Sequence, residues 1–440
     1  MKSFQSSLKE IPNGESRVVS NLITKFEYDT LTKEELTAEE FEELKSIAEE
    51  KREFLKVENG VIRLTQHVGL VFLSSGKVIE ILPKIYDGST REDARRLLTI
   101  FFYEFLGLAK RASSTGGSLL SRKMGFDVSF LEILTLLILN YIEKKIIQPG
   151  IYRSYLRERL VSRSLNGKLL LSQTLLRYPF QKDRFVIEKE VLTGNVLANR
   201  IVAGLAESVA VRFGSSKIRD LAGKILLYLR SIGIESSRNM VEDLKRLRLN
   251  RMNEHYYPAI QFARFLFSNN KMTGSKGEPF TFLFDMNRLF EEFVASSLSG
   301  CLIQDREKID GDFELKPDIL CPVSNGAFVV IDTKWKFPKS KSARSGDEDG
   351  DVLRCDRFQV ISYMYVLSER RKVKIPLGIL LYPDFPGSGE KIWQLSEERK
   401  LLALGLGFRK LFRDRGFEGK DIDGQVRYLK RKVRKKLPLP

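Results

Sequence analysis

The sequence predicts an α+β protein of several domains, and three observations carry that prediction. The chain has 440 residues, 42% of them hydrophobic, which is enough to bury two or three separate cores. The apolar spacing changes along the chain, from short strands, through helices, to a mixture of both. A polar stretch from Asn269 to Gly277 has the composition of a linker. We therefore expect three regions, 1–90, 91–268 and 278–440.

Short strands are expected in the first region. The clearest are Val68 to Leu73 and Val78 to Leu82, on either side of the turn sequence Ser74-Ser75-Gly76. The second region should be helical, because its apolar residues recur at helical spacing; one example is Leu97, Leu98, Phe101, Phe102, Phe105 and Leu106. The third region should contain a mixed sheet with helices around it. Its predicted strands are Leu315 to Val323, Ala327 to Lys334 and Leu377 to Tyr382.

Two aspartates and a lysine are predicted to meet in that sheet. Thirteen residues separate Asp318 from Asp332, and Lys334 follows two residues later. Asp332 and Lys334 share a strand face because side chains alternate along a strand. The sequence Ser324-Asn325-Gly326 predicts a hairpin turn that sets Asp318 opposite Asp332. Carboxylates about 5 Å apart can share a divalent cation, and we expect Mg²⁺, with Mn²⁺ as a substitute.

Two helices are predicted to flank this pair. In the first, 284–294, an apolar stripe places Glu291 at its edge, where the carboxylate can face the metal, although Glu292 is an alternative. In the second, 356–365, Gln359 and Tyr363 lie four residues apart and share one polar face. That face can hold either a bound polyanion or the lysine.

The spacing of these motifs is that of a PD-(D/E)xK nuclease site, and their order resembles the nuclease core of the McrC family. The four similar motifs are Met286-Asn287-x-Leu289-Phe290-Glu291, Lys316-Pro317-Asp318-Ile319-Leu320, Val330 to Lys336, and Asp356-x-x-Gln359-x-x-x-Tyr363. The resemblance is weaker upstream, at Ile79 to Ile85, Gly150-Ile151, Leu165 to Lys168 and Asn199-Arg200. The first 55 residues match no motif of the family.

The resemblance implies a restriction-endonuclease-like core in the cleavage subunit of an McrBC-type restriction system. Such a subunit works with McrB, a hexameric AAA+ GTPase that recognises modified DNA, and stimulates its GTPase through an N-terminal part. The sequence has no GxxxxGK[ST] run of its own for binding a nucleotide. We therefore expect an Mg²⁺-dependent endonuclease for methylated double-stranded DNA, with region 1–90 binding the GTPase.

Each candidate residue then has an expected role. The expected metal ligands are Asp318, Asp332, Glu291 and the backbone carbonyl of Thr333. Lys334 is expected to orient the attacking water or to stabilise the charge that develops on the phosphate. Lys336, Gln359 and Tyr363 are expected to contact DNA. Two alternatives stay open: a RecB-like repair nuclease, whose motif also has Gln-x-x-x-Tyr, and a non-catalytic DNA-binding adaptor that stimulates the GTPase.

The charge of the chain suits a DNA partner. The formal net charge is +17, and seven cations fall within the ten residues 427–436. The residues expected to contact phosphates there are Lys430, Arg431, Lys432, Arg434 and Lys435. A solvated helix or tail is the alternative interpretation of the same run.

The remaining composition argues against a membrane protein and against a secreted one. No stretch approaches the roughly 18 uncharged apolar residues of a membrane span. The sequence begins without an apolar signal core, and its cysteines, Cys301, Cys321 and Cys355, lack CxxC spacing. We therefore expect reduced cysteines and a cytoplasmic location.

Overall fold

The computed structural model describes residues 22–50, 55–58, 60–86, 89–108, 129–213, 215–268, 280–304, 307–310, 313–323, 326–336, 354–384, 389–414, 417 and 420–439. The chain divides into two compact units, and the division differs from the three consecutive regions predicted. The first unit combines the chain up to Leu134 with the chain from Thr273 onward, and the second runs from Thr135 to Met272. The predicted linker, 269–277, lies outside the described residues.

The amino-terminal part of the first unit alternates strands and helices. Its elements are β1 (Leu22–Phe26), β2 (Thr30–Leu31), α1 (Ala38–Glu50), β3 (Leu55–Glu58), β4 (Val61–Leu64), β5 (His67–Phe72), β6 (Val78–Leu82) and α2 (Arg91–Phe105). The predicted β5–β6 hairpin is confirmed, and its turn places Gly76 at φ +85°, a conformation that glycine adopts without strain. A further helix, α3 (Phe130–Ile142), crosses the division between the units.

The second unit contains a sheet where only helices were predicted. Its elements are a π-helical turn (Glu143–Ile147), β7 (Ser154–Ser162), β8 (Lys168–Leu169), α4 (Leu171–Arg177), β9 (Phe185–Thr193), α5 (Leu197–Arg212), α6 (Ser216–Ser231), α7 (Met240–Arg246), a 3-10 turn (Glu254–Tyr256) and α8 (Tyr257–Ser268). β7 and β9 pair along their full length. Each strand has three charged residues at its centre, and the two runs face each other, with Arg157 3.2 Å from Glu190 and Arg159 3.4 Å from Glu188.

We call β7, β8, α4 and β9 together the β-arm. Its apolar side chains are unusually exposed: Leu171, Leu175 and Leu176 on α4 are 59%, 58% and 84% exposed, and Phe180, between α4 and β9, is 95% exposed. Large exposed apolar surfaces on a folded unit mark sites of interaction with other molecules.

The carboxy-terminal part of the first unit forms a mixed sheet, as predicted. Its elements are β10 (Phe280–Asp285), α9 (Met286–Ser297), β11 (Leu302–Ile303), β12 (Glu307–Asp310), β13 (Phe313–Leu315), β14 (Ile319–Pro322), β15 (Ala327–Thr333), α10 (Arg354–Arg371), β16 (Lys374–Tyr382), β17 (Glu390–Gln394), β18 (Lys400–Gly405), α11 (Phe408–Leu411) and α12 (Ile422–Lys436). Six of these strands form one sheet in the order β11-β14-β15-β16-β18-β17.

Helix α10 covers one face of this sheet. Val360, Met364 and Leu367 pack on Val330 and Leu380. The helix lies so close that a Cβ on Gly378 would come within 2.6 Å of both Met364 and Val360 side-chain atoms. Because strand side chains alternate, Asp332 points to the same face as Val330, toward α10.

A second sheet joins the amino-terminal strands of the first unit to its carboxy-terminal part. Its order is β1-β6-β5-β10, so that β10, which precedes α9, is an edge strand beside β5. α9 in turn packs on α2, where the Phe293 and Phe101 rings lie 4.9 Å apart. The amino-terminal segment therefore belongs to the same core as the six-stranded sheet.

Two of the three cysteines are bonded, contrary to the prediction of reduced thiols. β11 pairs with β14 in a register that sets Leu302 opposite Leu320, so the preceding position, Cys301, faces Cys321. The structure joins these two as a disulfide, and Cys355 is a free, exposed thiol. In the part of the chain that the structure describes, no helix is both long and apolar enough to cross a membrane.

Candidate active site

The predicted hairpin brings Asp318 and Asp332 together. β14 and β15 are antiparallel, with Ile319 opposite Ile331, and one further step of the same register sets Asp318 opposite Asp332. Of the predicted turn, Gly326 has φ +70°, and Ser324 and Asn325 lie outside the described residues. The single strand predicted from Leu315 to Val323 is instead two strands, because Pro317 lacks the N–H that a continuous ladder needs. Asp318 therefore sits at a strand start, outside the regular ladder.

Thr333 fixes the orientation of Asp318. The backbone N–H and the hydroxyl of Thr333 both donate to Asp318 Oδ2, at 2.7 and 2.9 Å. Two bonds to one carboxylate oxygen hold the side chain in a single orientation. They leave Oδ1 outside this contact with Thr333.

Asp332 is fully buried beside Lys334. The Lys334 ammonium nitrogen lies 2.7 Å from Asp332 Oδ2, and the Asp332 side chain has no exposed surface. Oδ1 of Asp332 is buried and has no hydrogen-bond partner among the described residues. A buried carboxylate oxygen without a partner is costly unless a cation or a donor compensates it.

The charges of the site perturb one another. Burial, and then the negative charge of Asp318, raise the pKa of Asp332 above its usual range, although the Lys334 ammonium lowers it. Burial, the largest single effect, disfavours the ammonium of Lys334, but the charge and hydrogen bond of Asp332 together with the charges of Asp318 and Asp356 raise the pKa of Lys334. Perturbed carboxyl groups that share a cleft with a lysine are typical of sites that bind ions or perform catalysis.

Glu291, not Glu292, faces the aspartates. Burial, and then the charge of Asp318, raise the pKa of Glu291 to about 7. Glu292 instead pairs with Arg288 at 3.0 Å. Gln304 connects the two sides of the site, because its side-chain amide donates to Glu291 Oε1 at 2.8 Å and its backbone N–H donates to the carbonyl of Asp318 at 2.8 Å.

Gln359 contacts the lysine, which is one of the two possibilities that the sequence left open, and Tyr363 contacts Gln359. Lys334 Nζ donates to Gln359 Oε1 at 3.0 Å, and Gln359 Nε2 donates to the Tyr363 hydroxyl at 2.8 Å. Lys334 is thereby held between Asp332 and Gln359. Contact of Gln359 and Tyr363 with DNA stays a prediction.

Lys336 is paired within the protein. Its ammonium lies 3.1 Å from Asp356 Oδ1, and Asp356 is a buried carboxylate that also accepts from the Tyr382 hydroxyl at 3.4 Å. The Lys336 side chain keeps 43% of its surface exposed, so this ion pair does not bury it. Its contact with a phosphate also stays a prediction.

The residues present fit a Mg²⁺ ion held by two carboxylates. Proteins often bind Mg²⁺ through one or two carboxylates, with water and phosphate oxygens completing the coordination. Asp318 and Asp332 supply such a pair, and the buried Oδ1 of Asp332 is an acceptor that lacks a partner among the described residues. In the described parts of the chain, no three His, Cys, Asp or Glu side chains converge closely enough to hold an ion. Glu291 and the carbonyl of Thr333 therefore stay predicted ligands.

The basic run at the end of the chain is an amphipathic helix, and one face of it packs on the rest of the first unit. α12 buries Val426, Leu429 and Val433 and packs on α9 and α2. Three of the five predicted DNA contacts bond to the protein itself: Lys430 pairs with Glu104 at 2.5 Å, Lys432 donates to the Gly407 carbonyl at 3.4 Å, and Arg434 donates to the Ser297 carbonyl at 2.5 Å. Arg431 and Lys435 are exposed.

Sequence patterns did not indicate Gln304. It follows the short edge strand β11 and has φ +50°, which is rare for a residue other than glycine. Neither strand periodicity nor a charge motif marks it, because its two partners lie 13 and 14 residues away in sequence.

Comparison with known proteins identifies relatives of the whole fold. A family model described as "McrBC 5-methylcytosine restriction system component" matches residues 62–383. A chain in the refined half-complex from the tetradecameric assembly of Thermococcus gammatolerans McrB AAA+ hexamers with bound McrC is 18% identical, with a TM-score of 0.61. That match covers 94% of this chain and 100% of the other. A chain of the Thermococcus gammatolerans McrBC complex is 21% identical over 62% of this chain and 86% of the other, with a TM-score of 0.47. No curated protein matches.

Proposed function

This chain belongs to the family of McrBC 5-methylcytosine restriction system components, and from that premise we propose that it is a DNA-cutting subunit. It is an Mg²⁺-dependent endonuclease of the PD-(D/E)xK type that cleaves methylated DNA together with an AAA+ GTPase. The observation that carries the proposal is the buried Asp332, whose charge is met by Lys334 on one oxygen and by no described group on the other. A cation would compensate the carboxylate of Asp332, and a phosphate would compensate the ammonium of Lys334.

In the proposed hydrolysis of a phosphodiester, each residue of the site has its own role. Asp318 and Asp332 would hold Mg²⁺, which polarises a phosphate and lowers the pKa of a bound water. Thr333 fixes Asp318, so that one ligand is oriented before the ion arrives. Lys334 presents its ammonium between Asp332 and Gln359, where it can neutralise charge that develops on the phosphate.

Region 1–90 as the part that binds the GTPase stays an untested prediction; the exposed apolar side chains lead us to propose the β-arm instead. The sequence contains no nucleotide-binding P-loop of its own. The related Thermococcus gammatolerans assembly holds McrB AAA+ hexamers with bound McrC. On this chain, the exposed apolar side chains of α4 and Phe180 offer surface that a protein partner can bury.

A cleavage assay tests the enzymatic part. Purified chain, its AAA+ partner, GTP and Mg²⁺ are incubated with methylated and unmethylated plasmid. We expect cleavage of the methylated plasmid, complete loss of it in Asp332→Ala, and retention in the neighbouring control Glu292→Gln, whose carboxylate pairs with Arg288. Equal cutting by wild type and Asp332→Ala would reject this site. Stimulation of GTP hydrolysis without any cutting would identify the adaptor alternative.

Co-purification tests the partner surface. Leu175→Ser combined with Phe180→Ser should abolish binding of the GTPase, because both side chains are exposed in the free chain. Leu227→Ser on α6, which is 69% exposed, is the matched control and should bind normally. Loss of binding in the control alone would move the interface away from the β-arm.

A further inference from the structure

A carboxyl group from the amino-terminal segment lies against the candidate active site. Glu27 directly follows β1, is 1% exposed, and accepts two hydrogen bonds on Oε1. One comes from the Trp335 indole N–H at 2.6 Å and the other from the Lys84 backbone N–H at 2.8 Å. Trp335 follows Lys334 directly, so Glu27 contacts the residue next to the active-site lysine.

Trp335 anchors the end of β15. It is 2% exposed, and its ring lies 5.5 Å from Phe290 and 6.1 Å from Phe101. Its backbone N–H donates to the Asn287 side chain at 3.2 Å. These contacts surround the Trp335 ring on several sides. The hydrogen bond from its indole N–H to Glu27 fixes the orientation of the ring.

The backbone at residues 27 and 28 places the Glu27 side chain beside Trp335. The Glu27 N–H donates to the Leu82 carbonyl at 2.9 Å, which extends the pairing of β1 with β6 by one residue. Tyr28 then turns the chain with φ +66°, a left-handed conformation that is costly for a residue with a side chain. Backbone strain that is retained beside a site often has a functional reason.

From these contacts we propose that Glu27 is a positioning residue of the active site. Through the Trp335 indole, its carboxyl fixes the end of β15 and thereby the placement of Asp332 and Lys334. The proposal rests on the nuclease function proposed above. It also gives a role to one residue of the first 55, which match no motif of the family, and to Lys84, whose backbone N–H donates to the same carboxyl.

Kinetics of DNA cleavage by the full chain with its partner test the proposal. Glu27→Ala should lower kcat about 10- to 100-fold with little change in KM, because misplacement of catalytic groups by about 1 Å costs that much. Glu27→Gln keeps a carbonyl oxygen for both donors and should restore most of the rate. Trp335→Phe keeps the aromatic ring but lacks the N–H, and should lower kcat as Glu27→Ala does.

A matched control separates positioning from stability. Glu40 is another buried carboxylate of the amino-terminal segment, with bonds to Lys77, Ser75 and Thr37 and none to Trp335. Glu40→Ala should lower the melting temperature but leave kcat unchanged. If both Glu27→Ala and Trp335→Phe cleave at the wild-type rate, the positioning role is wrong.

Fluorescence tests the contact without relying on cleavage. The chain has two tryptophans, so the Trp393→Phe background leaves Trp335 as the single emitter. Glu27→Ala in that background should shift the emission maximum, whereas Glu40→Ala should not. An unchanged spectrum in Glu27→Ala overturns the proposal whether or not the protein cuts DNA. A spectral shift in Glu27→Ala together with a wild-type chain that never cuts rejects the nuclease function while leaving the contact intact.

Discussion

Thr333 gives both its backbone N–H and its hydroxyl to one oxygen of Asp318, at 2.7 and 2.9 Å. The residue between Asp332 and Lys334 therefore orients the carboxylate of the opposite strand. In the proposed enzyme this bond prepares a metal ligand in advance, so that less ordering is needed when the ion binds.

Thr333→Val should weaken the use of Mg²⁺. Valine has the shape of threonine without the hydroxyl, and a hydrogen bond to a charged group is worth about 1.5–3 kcal/mol, so the Mg²⁺ concentration for half-maximal cleavage should rise about tenfold or more. A Mg²⁺ titration of the cleavage rate measures this. Thr333→Ser keeps the hydroxyl and should behave as wild type; a similar loss in Thr333→Ser would point to packing instead.

Gln359→Leu should slow cleavage without altering Mg²⁺ dependence. The change removes the acceptor that holds Lys334 at 3.0 Å and leaves in place Asp318 and Asp332, the proposed metal ligands. We expect a fall in kcat of about tenfold or more, as for loss of one oriented polar group in a catalytic site. Ser362→Ala, on the exposed face of the same helix, is the control. A shifted Mg²⁺ midpoint in Gln359→Leu would instead assign Gln359 to the metal.

The stability of the protein should fall as pH rises from about 4.5 to about 8, in part because of Glu27. Burial raises the pKa of Glu27 from 4.5 to about 8 in the folded protein. The native state thus binds a proton that the unfolded chain releases, and its contribution is complete below pH 4.5 and lost as pH passes 8, on the order of a few kcal/mol. Glu27→Gln cannot titrate. Denaturation across this pH range should therefore show a smaller fall for the variant, and identical curves would contradict the burial effect.

Lys430→Ala should destabilise the fold. The Lys430 and Glu104 side chains are 14% and 3% exposed, and removing one partner of a buried ion pair costs about 3–5 kcal/mol. Glu104→Gln combined with Lys430→Met should recover part of the loss, since both charges are then gone. Urea denaturation measures the difference. An unchanged midpoint in Lys430→Ala would mean that this pair adds nothing.

Arg431→Ser combined with Lys435→Ser should act on DNA binding instead. Both side chains are exposed on α12, so their removal should leave the melting temperature unchanged. If both side chains bind phosphates, the slope of log affinity against log salt should become shallower by about 0.9 for each phosphate that is no longer neutralised. A constant slope would exclude this face of α12 from the DNA interface.

A fragment that begins at residue 273 should not fold alone. Strand β10 pairs with β5, and Trp335 and Phe293 pack on residues before 110, so the fragment would expose a core that the amino-terminal segment covers. Circular dichroism and gel filtration of this fragment should show a poorly ordered or aggregated chain. A fragment of residues 129–268 should fold, because it contains the second compact unit. A monomeric, cooperative 273–440 fragment would contradict this view of the core.

The sequence predicted the structural features whose residues lie close together along the chain. The hairpin that sets Asp318 opposite Asp332 follows from turn residues and from strand alternation, and the helix with Gln359 and Tyr363 follows from four-residue spacing. The roles of those residues as metal ligands or DNA contacts stay predictions.

Other features could not be predicted, because the residues in contact are far apart in the sequence. Glu27 and Trp335 are 308 residues apart, and nothing in the residues around either one signals the other. The cations of the final helix are clustered within ten residues of the sequence, yet helical geometry places Lys430 beside a buried carboxylate and Arg431 at the surface. The long strands of the β-arm are hard to predict, because their charged residues are grouped at the centre of each strand and do not alternate with the apolar ones.

The sheet that unites β1, β5 and β6 with β10 has a consequence for synthesis. As the chain leaves the ribosome from its amino terminus, β5 waits for a partner strand that is made about two hundred residues later. Closing so long a loop is slow, so the first unit is completed after the second. In the proposed enzyme, the β-arm would thus be folded before Asp318 and Asp332 are brought together, and a prematurely terminated chain would lack the proposed cutting centre.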